Sequence, residues 1–193
     1  MTNKAWCMGL LACCGAAAGC DDTARPGSTA ANSSATASAD APAEARLATV
    51  VAGDAKLARL NRIVGGAGMT ALLNGVGPYT LFAPTDAAIE ALGAERADAL
   101  AGEAMRPQAG ALLRAHMVPG MITRRDLETA IATADGRPVR MRSMADTMLT
   151  FTREGDAIVI SADGGGRGKL TAQEGLASNG SVQPIDGLLV KAQ

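Results

Sequence analysis

Gly77-Pro78-Tyr79-Thr80-Leu81-Phe82-Ala83-Pro84-Thr85-Asp86-Ala87-Ala88-Ile89 reads as a turn, a short buried strand and the opening of a helix. Gly77-Pro78 is turn punctuation. Tyr79 to Ala83 is a brief apolar run with β-favouring residues, which predicts a strand. Pro84 biases Ala83 away from helical geometry. Thr85 or Asp86 then stands at the cap position, with an oxygen to accept from the first free N–H groups of the helix that follows.

Before this stretch the pattern is helical. Leu47, Val50 and Val51 share one face, and Leu57, Leu60, Ile63 and Val64 repeat at three and four. Gly65-Gly66 ends or bends that second helix. Met69, Leu72 and Leu73 make one further turn, closed by Asn74-Gly75. After it, short helices are expected over Ala87 to Leu92, Arg96 to Ala101 and Pro107 to Ala115, with Gly93 and Gly102 as stops and Pro107 near a first turn. Thr123 and Asp126 have capping-box spacing before Leu127, Ala130 and Ile131.

From Val139 the period changes to two. Val139 and Met141 alternate with Arg140 and Arg142, and Met148 to Thr152 and Ala157 to Ser161 flank a hairpin turn at Arg153-Glu154-Gly155-Asp156. Gly164 to Gly168 reads as a mobile loop leading to a short strand near Leu170. Val182 to Val190 reads as the last strand, which Pro184 confines to an edge or interrupts. Asn179-Gly180 reads as a turn. Helices first and strands second give an α+β fold. No internal repeat is present.

The chain has 193 residues and a formal net charge of −1. From Leu47 onward there are fifteen basic and fifteen acidic residues. That neutrality argues against nucleic acid as a partner, which would favour a basic footprint. All four cysteines, Cys7, Cys13, Cys14 and Cys20, fall within the first twenty residues. The rest of the chain is therefore built without disulfides or thiolate metal sites.

Residues 1–19 read as a secretory leader. Lys4 starts it, and Ala5 to Ala18 is uncharged and largely apolar but shorter than the ~20 residues of a membrane span. Ala17-Ala18-Gly19-Cys20 resembles a bacterial lipobox, which implies cleavage before Cys20 and lipid attachment there, with each buried methylene adding ~0.8 kcal/mol of membrane affinity. Residues 20–46 are rich in Ala, Ser, Thr, Asp and Pro and have no large apolar side chain before Leu47, so they read as a flexible tether. The domain proper runs from 47 to 193.

Two further segments accompany the opening stretch at fitting distances. Leu112-Leu113-Arg114-Ala115-His116-Met117-Val118-Pro119-Gly120 lies in the middle, and Ala177-Ser178-Asn179-Gly180-Ser181-Val182-Gln183-Pro184-Ile185-Asp186-Gly187-Leu188-Leu189-Val190 closes the chain. Together the three resemble the signatures of the fasciclin (FAS1) domain. The resemblance spans about Leu47 to Val190 and implies a wedge-shaped β-sandwich flanked by helices. It also implies a non-catalytic adhesion or protein-interaction module, here anchored in a bacterial envelope membrane by its N-terminal lipid. The alternative is an envelope polysaccharide-binding protein.

The resemblance marks Thr85, Asp86, His116, Asn179, Gly180 and Asp186 as signature residues, structural or interacting. Two departures stand out. Ala115 takes the place of a tyrosine implicated in adhesion in animal members, and Gln183 that of a second histidine. His116 is the single histidine of the chain. It has no Gly-x-Ser-x-Gly elbow or domain cysteine to serve as base, so it reads as a structural residue and the chain as a non-enzyme. Neither a metal site nor a cofactor is expected: zinc ligand sets and EF-hand spacing are missing. Gly164 to Lys169 fails the phosphate-loop spacing, with Asp163 and Leu170 at its defining positions. Arg137, Arg140 and Arg142, with Arg124 and Arg125 nearby in sequence, make a candidate polyanion patch.

Overall fold

Tyr79–Pro84 forms strand β1, and the strand is buried on both faces from Thr80 onward because sheet and helices enclose it from opposite sides. The computed structural model describes residues 44–171 and 173–191. Cys20, the leader and residues 20–43 of the tether lie outside the described residues.

Ahead of β1 come α1 (Leu47–Gly53), a 3-10 turn at Ala55–Leu57, α2 (Ala58–Gly66) and α3 (Thr70–Leu73). The expected helical faces are the buried ones: Leu47, Val51, Leu57, Leu60, Ile63 and Val64 are all within the core, and Val50 is half-buried. After β1 follow α4 (Asp86–Glu90), α5 (Ala94–Ala99), α6 (Arg106–Ala115), β2 (Met117–Pro119) and α7 (Arg124–Thr133). Helix α5 begins two residues before the expected Arg96, directly behind Gly93, whose φ of 92° breaks the preceding turn. At α7 the capping box is complete. Thr123 Oγ1 accepts from Asp126 N–H at 3.1 Å, and Asp126 Oδ2 accepts from Thr123 N–H at 2.9 Å.

The remaining strands are β3 (Val139–Arg142), β4 (Met148–Glu154), β5 (Ala157–Ala162), β6 (Arg167–Lys169), β7 (Gly175–Ala177) and β8 (Gly180–Ile185). They form two four-stranded sheets. One is the antiparallel meander β3-β4-β5-β6, and the other has the order β2-β1-β8-β7. In the latter, β1 pairs antiparallel with β2 and parallel with β8, Tyr79 opposite Gly180 through Pro84 opposite Ile185.

Strand alternation on β1 divides the core. Leu81 and Ala83 face the helical layer, in one apolar cluster with Leu47, Leu60 and Leu113. Phe82 faces the meander, in a second cluster with Leu149, Phe151 and Ile160, closed at its side by Leu127 and Ile131 of α7. The Phe82 and Phe151 rings meet at 5.3 Å, tilted by 48°. Such a pair contributes about 1 kcal/mol beyond its buried area.

Four expectations differ from the structure, each for an identifiable reason. Pro184 does not lie on an edge, since β8 has β1 on one side and β7 on the other. The proline is tolerated because β7 pairs only with Gly180, Ser181 and Val182, so its partner has ended before the missing N–H would be needed. The Pro184 carbonyl is used instead, accepting from Thr171 N–H at 2.9 Å. The last strand ends at Ile185 rather than at Val190, because Asp186 turns the chain against β6. The β7–β8 turn is centred on Ser178-Asn179, one residue earlier than expected, and Gly180 is already in the strand. Finally, Gly164 to Gly168 is not simply a mobile loop. A Cβ on Gly166 would overlap the Leu189-Val190 backbone, and Gly168 lies against Gly187, so here glycine permits two backbones to touch.

Candidate functional site

The signature residues converge on the interior, and most of them fasten one element to another. Asn179 is 2% exposed. Its Oδ1 accepts from Leu47 N–H at 2.9 Å, the start of α1, and its Nδ2 donates to Leu73 O at 2.9 Å and Gly75 O at 2.8 Å, the end of α3. One amide thus satisfies a helix N-terminus and a helix C-terminus together. Gly180, at φ 152°, lies so close to β1 that a Cβ would collide with Tyr79 O.

His116 is fully buried at the end of α6. Its Nε2 accepts from Leu189 N–H at 3.0 Å, so the ring proton is on Nδ1, which donates to Leu112 O at 2.8 Å. Burial lowers its pKa from 6.5 to about 4, against a smaller opposing effect of the Leu112 hydrogen bond. The ring is therefore neutral at pH 7, and both nitrogens are committed to backbone groups. It is a strut between α6 and the C-terminal segment.

Thr85 and Asp86 do not cap the helix that follows them. Thr85 occupies the N-cap position of α4 without a side-chain bond, and its N–H continues the strand ladder to Ile185 O at 2.9 Å. Asp86 Oδ1 caps a different helix, accepting from Arg59 N–H at the start of α2 at 2.8 Å. The Arg59 guanidinium then reaches Glu90 and Asp98, both at 3.1 Å, which ties α2 to α4 and α5. Asp186 Oδ1 accepts from Lys169 N–H at 2.6 Å, and its own N–H returns to Lys169 O at 3.0 Å.

A buried polar network was not anticipated from the sequence. Thr80 Oγ1 donates to Gly120 O and accepts from Ile122 N–H, both at 2.8 Å, while Ser181 Oγ donates to Ile122 O at 2.7 Å. Gln183 Nε2 donates to Glu174 Oε2 at 2.6 Å, and the same oxygen accepts from Arg124 N–H at 2.7 Å. Together they fasten the β2–α7 connection to β1 and β8. The signal was the Ser181-x-Gln183 spacing in β8, which puts two polar side chains on one face of an otherwise apolar strand. Arg124 Nε and Nη2 and Gln183 Oε1 are buried without a hydrogen-bond partner.

Three features remain at the surface. Among the described residues the exposed large hydrophobics are Val76, 92% exposed, and Met121, 45% exposed. They lie on neighbouring loops, joined where Gly120 N–H donates to Pro78 O at 2.9 Å. The second feature is the outer face of the meander. Val139 and Met141 pair with the buried Phe151 and Leu149, so Arg140 and Arg142 point the other way. A row Arg140–Thr150–Ser161–Arg167 crosses this face. Arg142 is paired with Asp146 at 3.3 Å and Arg167 with Glu154, which lowers the free charge of the patch. Arg137 Nε donates to Ala134 O at 3.1 Å, and Arg124 does not join the patch, because its backbone N–H is bound to Glu174 and part of its guanidinium is buried. The third is a groove of about 420 Å³ beside α6, with Ala115 in its lining. Among the described residues, no group of three or more His, Cys, Asp or Glu is placed to hold a metal ion. No helix among them is long and apolar enough to cross a membrane.

Comparison with known proteins agrees with this architecture. Protein sll1483 of Synechocystis sp. is 29% identical over 147 residues, which cover 73% of this chain and 71% of that protein. The FAS1 domain pair of the insect cell adhesion molecule fasciclin I superposes with a TM-score of 0.64 at 16% identity. The match covers 77% of this chain and 52% of that one, so the chain spans about half of the solved pair. The fasciclin domain family model matches residues 55–191, from the 3-10 turn ahead of α2 to the segment held by His116. On that match, which covers more than half of the chain, and with two four-stranded sheets and a helical layer, the chain belongs to the fasciclin domain family.

Proposed function

We propose that this chain is a non-catalytic adhesion or protein-interaction module, held at a bacterial envelope membrane by lipid on Cys20. The observation that carries the reading is the pair Val76 and Met121. An exposed valine and an exposed methionine on adjoining loops offer apolar surface of the kind that marks protein contact sites. The signature residues contribute by rigidity: Asn179 and the Thr80–Ser181 network fix the loops that carry the pair. The description of fasciclin I as a cell adhesion molecule points the same way.

The test is capture of envelope protein by the immobilised chain. Wild type retains a partner at ordinary salt, and Val76→Asp with Met121→Asp releases it while the fold survives, since neither side chain is in the core. Retention unchanged in that variant refutes the pair as a contact site. Cys20→Ser moves the protein from the detergent phase to the aqueous phase if the lipid is attached there.

The arginine row favours a second reading, binding of an acidic envelope polysaccharide. Screening would then weaken retention steeply with salt, and Arg140→Ala with Arg142→Ala would abolish it. Salt-insensitive retention refutes that reading.

A further inference from the structure

The groove beside α6 is a built cavity that the adhesive reading does not use. Gln108, Ala111, Leu112 and Ala115 line it at helical spacing, along one face of the helix. Leu100 and Met105 supply more apolar wall, and Lys191 brings positive charge. Its volume of about 420 Å³ falls in the range of small-molecule sites.

Its chemistry narrows the occupant. No aromatic ring lines it, so a base has nothing to stack on. The polar side chains Gln108 and Thr147 are too few to satisfy the backbone of an extended peptide. The described lining holds no carboxylate to pair with Lys191. Asp146 lies between two lining residues, but its Oδ1 is engaged by Arg142. The space itself comes from two alanines one helical turn apart, Ala111 at the surface and Ala115 at the floor.

We propose that this groove binds a free single-chain amphiphilic carboxylate, a medium-chain fatty acid being the simplest. The alkyl chain lies over Ala111 and Ala115 against Leu100, Met105 and Leu112, and the carboxylate pairs with Lys191. Apolar burial supplies the affinity, and Lys191 sets the sign of the headgroup.

The experiment titrates sodium dodecanoate, below its micelle-forming concentration, into the full chain and follows the methyl resonances of Leu100, Met105 and Leu112 by NMR. The expected result is saturable binding with shifts confined to these methyls. Lys191→Glu weakens it about tenfold, the equivalent of about 1.4 kcal/mol. Ala111→Phe, at an exposed position that does not threaten the fold, fills the groove and abolishes the shifts; Ala115→Tyr does the same where it folds. Dodecanol and dodecyltrimethylammonium bind at least about tenfold more weakly. Phosphatidylglycerol vesicles, whose acyl chains stay in the bilayer, leave the methyls unshifted. Absence of saturable binding, equal affinity for the cationic amphiphile, binding unaltered by Ala111→Phe, or shifts produced by vesicles alone each overturns the assignment. Failure would leave the adhesive reading intact, because the groove shares no residue with Val76 and Met121.

Discussion

Acidification should loosen this domain through one residue. His116 is the single histidine in the chain, so it alone among the side chains has an ordinary pKa inside the window between pH 5 and 7. In the fold its pKa is lowered from 6.5 to about 4 by burial. The unfolded chain therefore takes up a proton as pH falls through 6.5, while the folded chain refuses it until about pH 4. Stability is fully present above pH 7 and declines on the way down by as much as about 1.4 kcal/mol per pH unit. The loss comes to about 2 kcal/mol between pH 7 and pH 5, and about 3 kcal/mol by pH 4. Protonation at Nε2 would also expel the Leu189 N–H from its acceptor. The assay is urea unfolding at pH 7, 6 and 5, above the range where carboxylates titrate, for wild type and His116→Gln. Wild type should lose about 2 kcal/mol across that interval. His116→Gln starts less stable, having lost the strut, but its stability stays flat. A flat wild-type profile, or the same slope in the variant, refutes the argument.

Other outcomes follow from the same contacts. Asn179→Ala strands Leu47 N–H, Leu73 O and Gly75 O, and should cost about 3 kcal/mol or more in denaturant unfolding. Gly180→Ala drives a methyl into Tyr79 O and should lower stability by more than about 2 kcal/mol, with the β1–β8 amides losing hydrogen-exchange protection first. Asp86→Ala removes the α2 cap and should cost about 1 kcal/mol, whereas Thr85→Ala, at a cap position without a side-chain bond, should cost less than about half of that by thermal melting. Arg124→Met should be neutral within about 1 kcal/mol or stabilising, because it replaces buried guanidinium atoms that have no partner.

Local signals carried much of the fold. The helical faces before β1 and the capping box at Thr123 depend on neighbours three or four residues away, so they can be read without a structure. So does the β4–β5 hairpin, whose turn residues sit between two alternating runs. What failed to show depends on distant partners. Pro184 looks like an edge residue until the length of β7 is known. Asp86 looks like the cap of its own helix, yet α2 passes close enough to take its carboxylate. The glycines from Gly164 onward look like slack because the Leu189 backbone that presses on Gly166 is remote in sequence. The candidate site followed the same rule. His116 could be read from the sequence only as a lone histidine; its partners Leu112 and Leu189, like the groove and the Val76–Met121 loops, are products of assembly.

The parallel pairing of β1 with β8 sets an order of events. Ser181 is 101 residues beyond Thr80, its neighbour across that ladder. Until β8 arrives, β1 has only the three residues of β2 beside it and an open row of backbone groups on its other side. The meander closes from near neighbours, so it can form first, while the first sheet waits for the last strand and meets a large loop-closure cost when it comes. A ribosome releasing this chain therefore holds an unfinished sheet from the emergence of β1 to that of β8. Strand β8 acts as the closing stitch: a stop near residue 178 would remove the middle of the sheet.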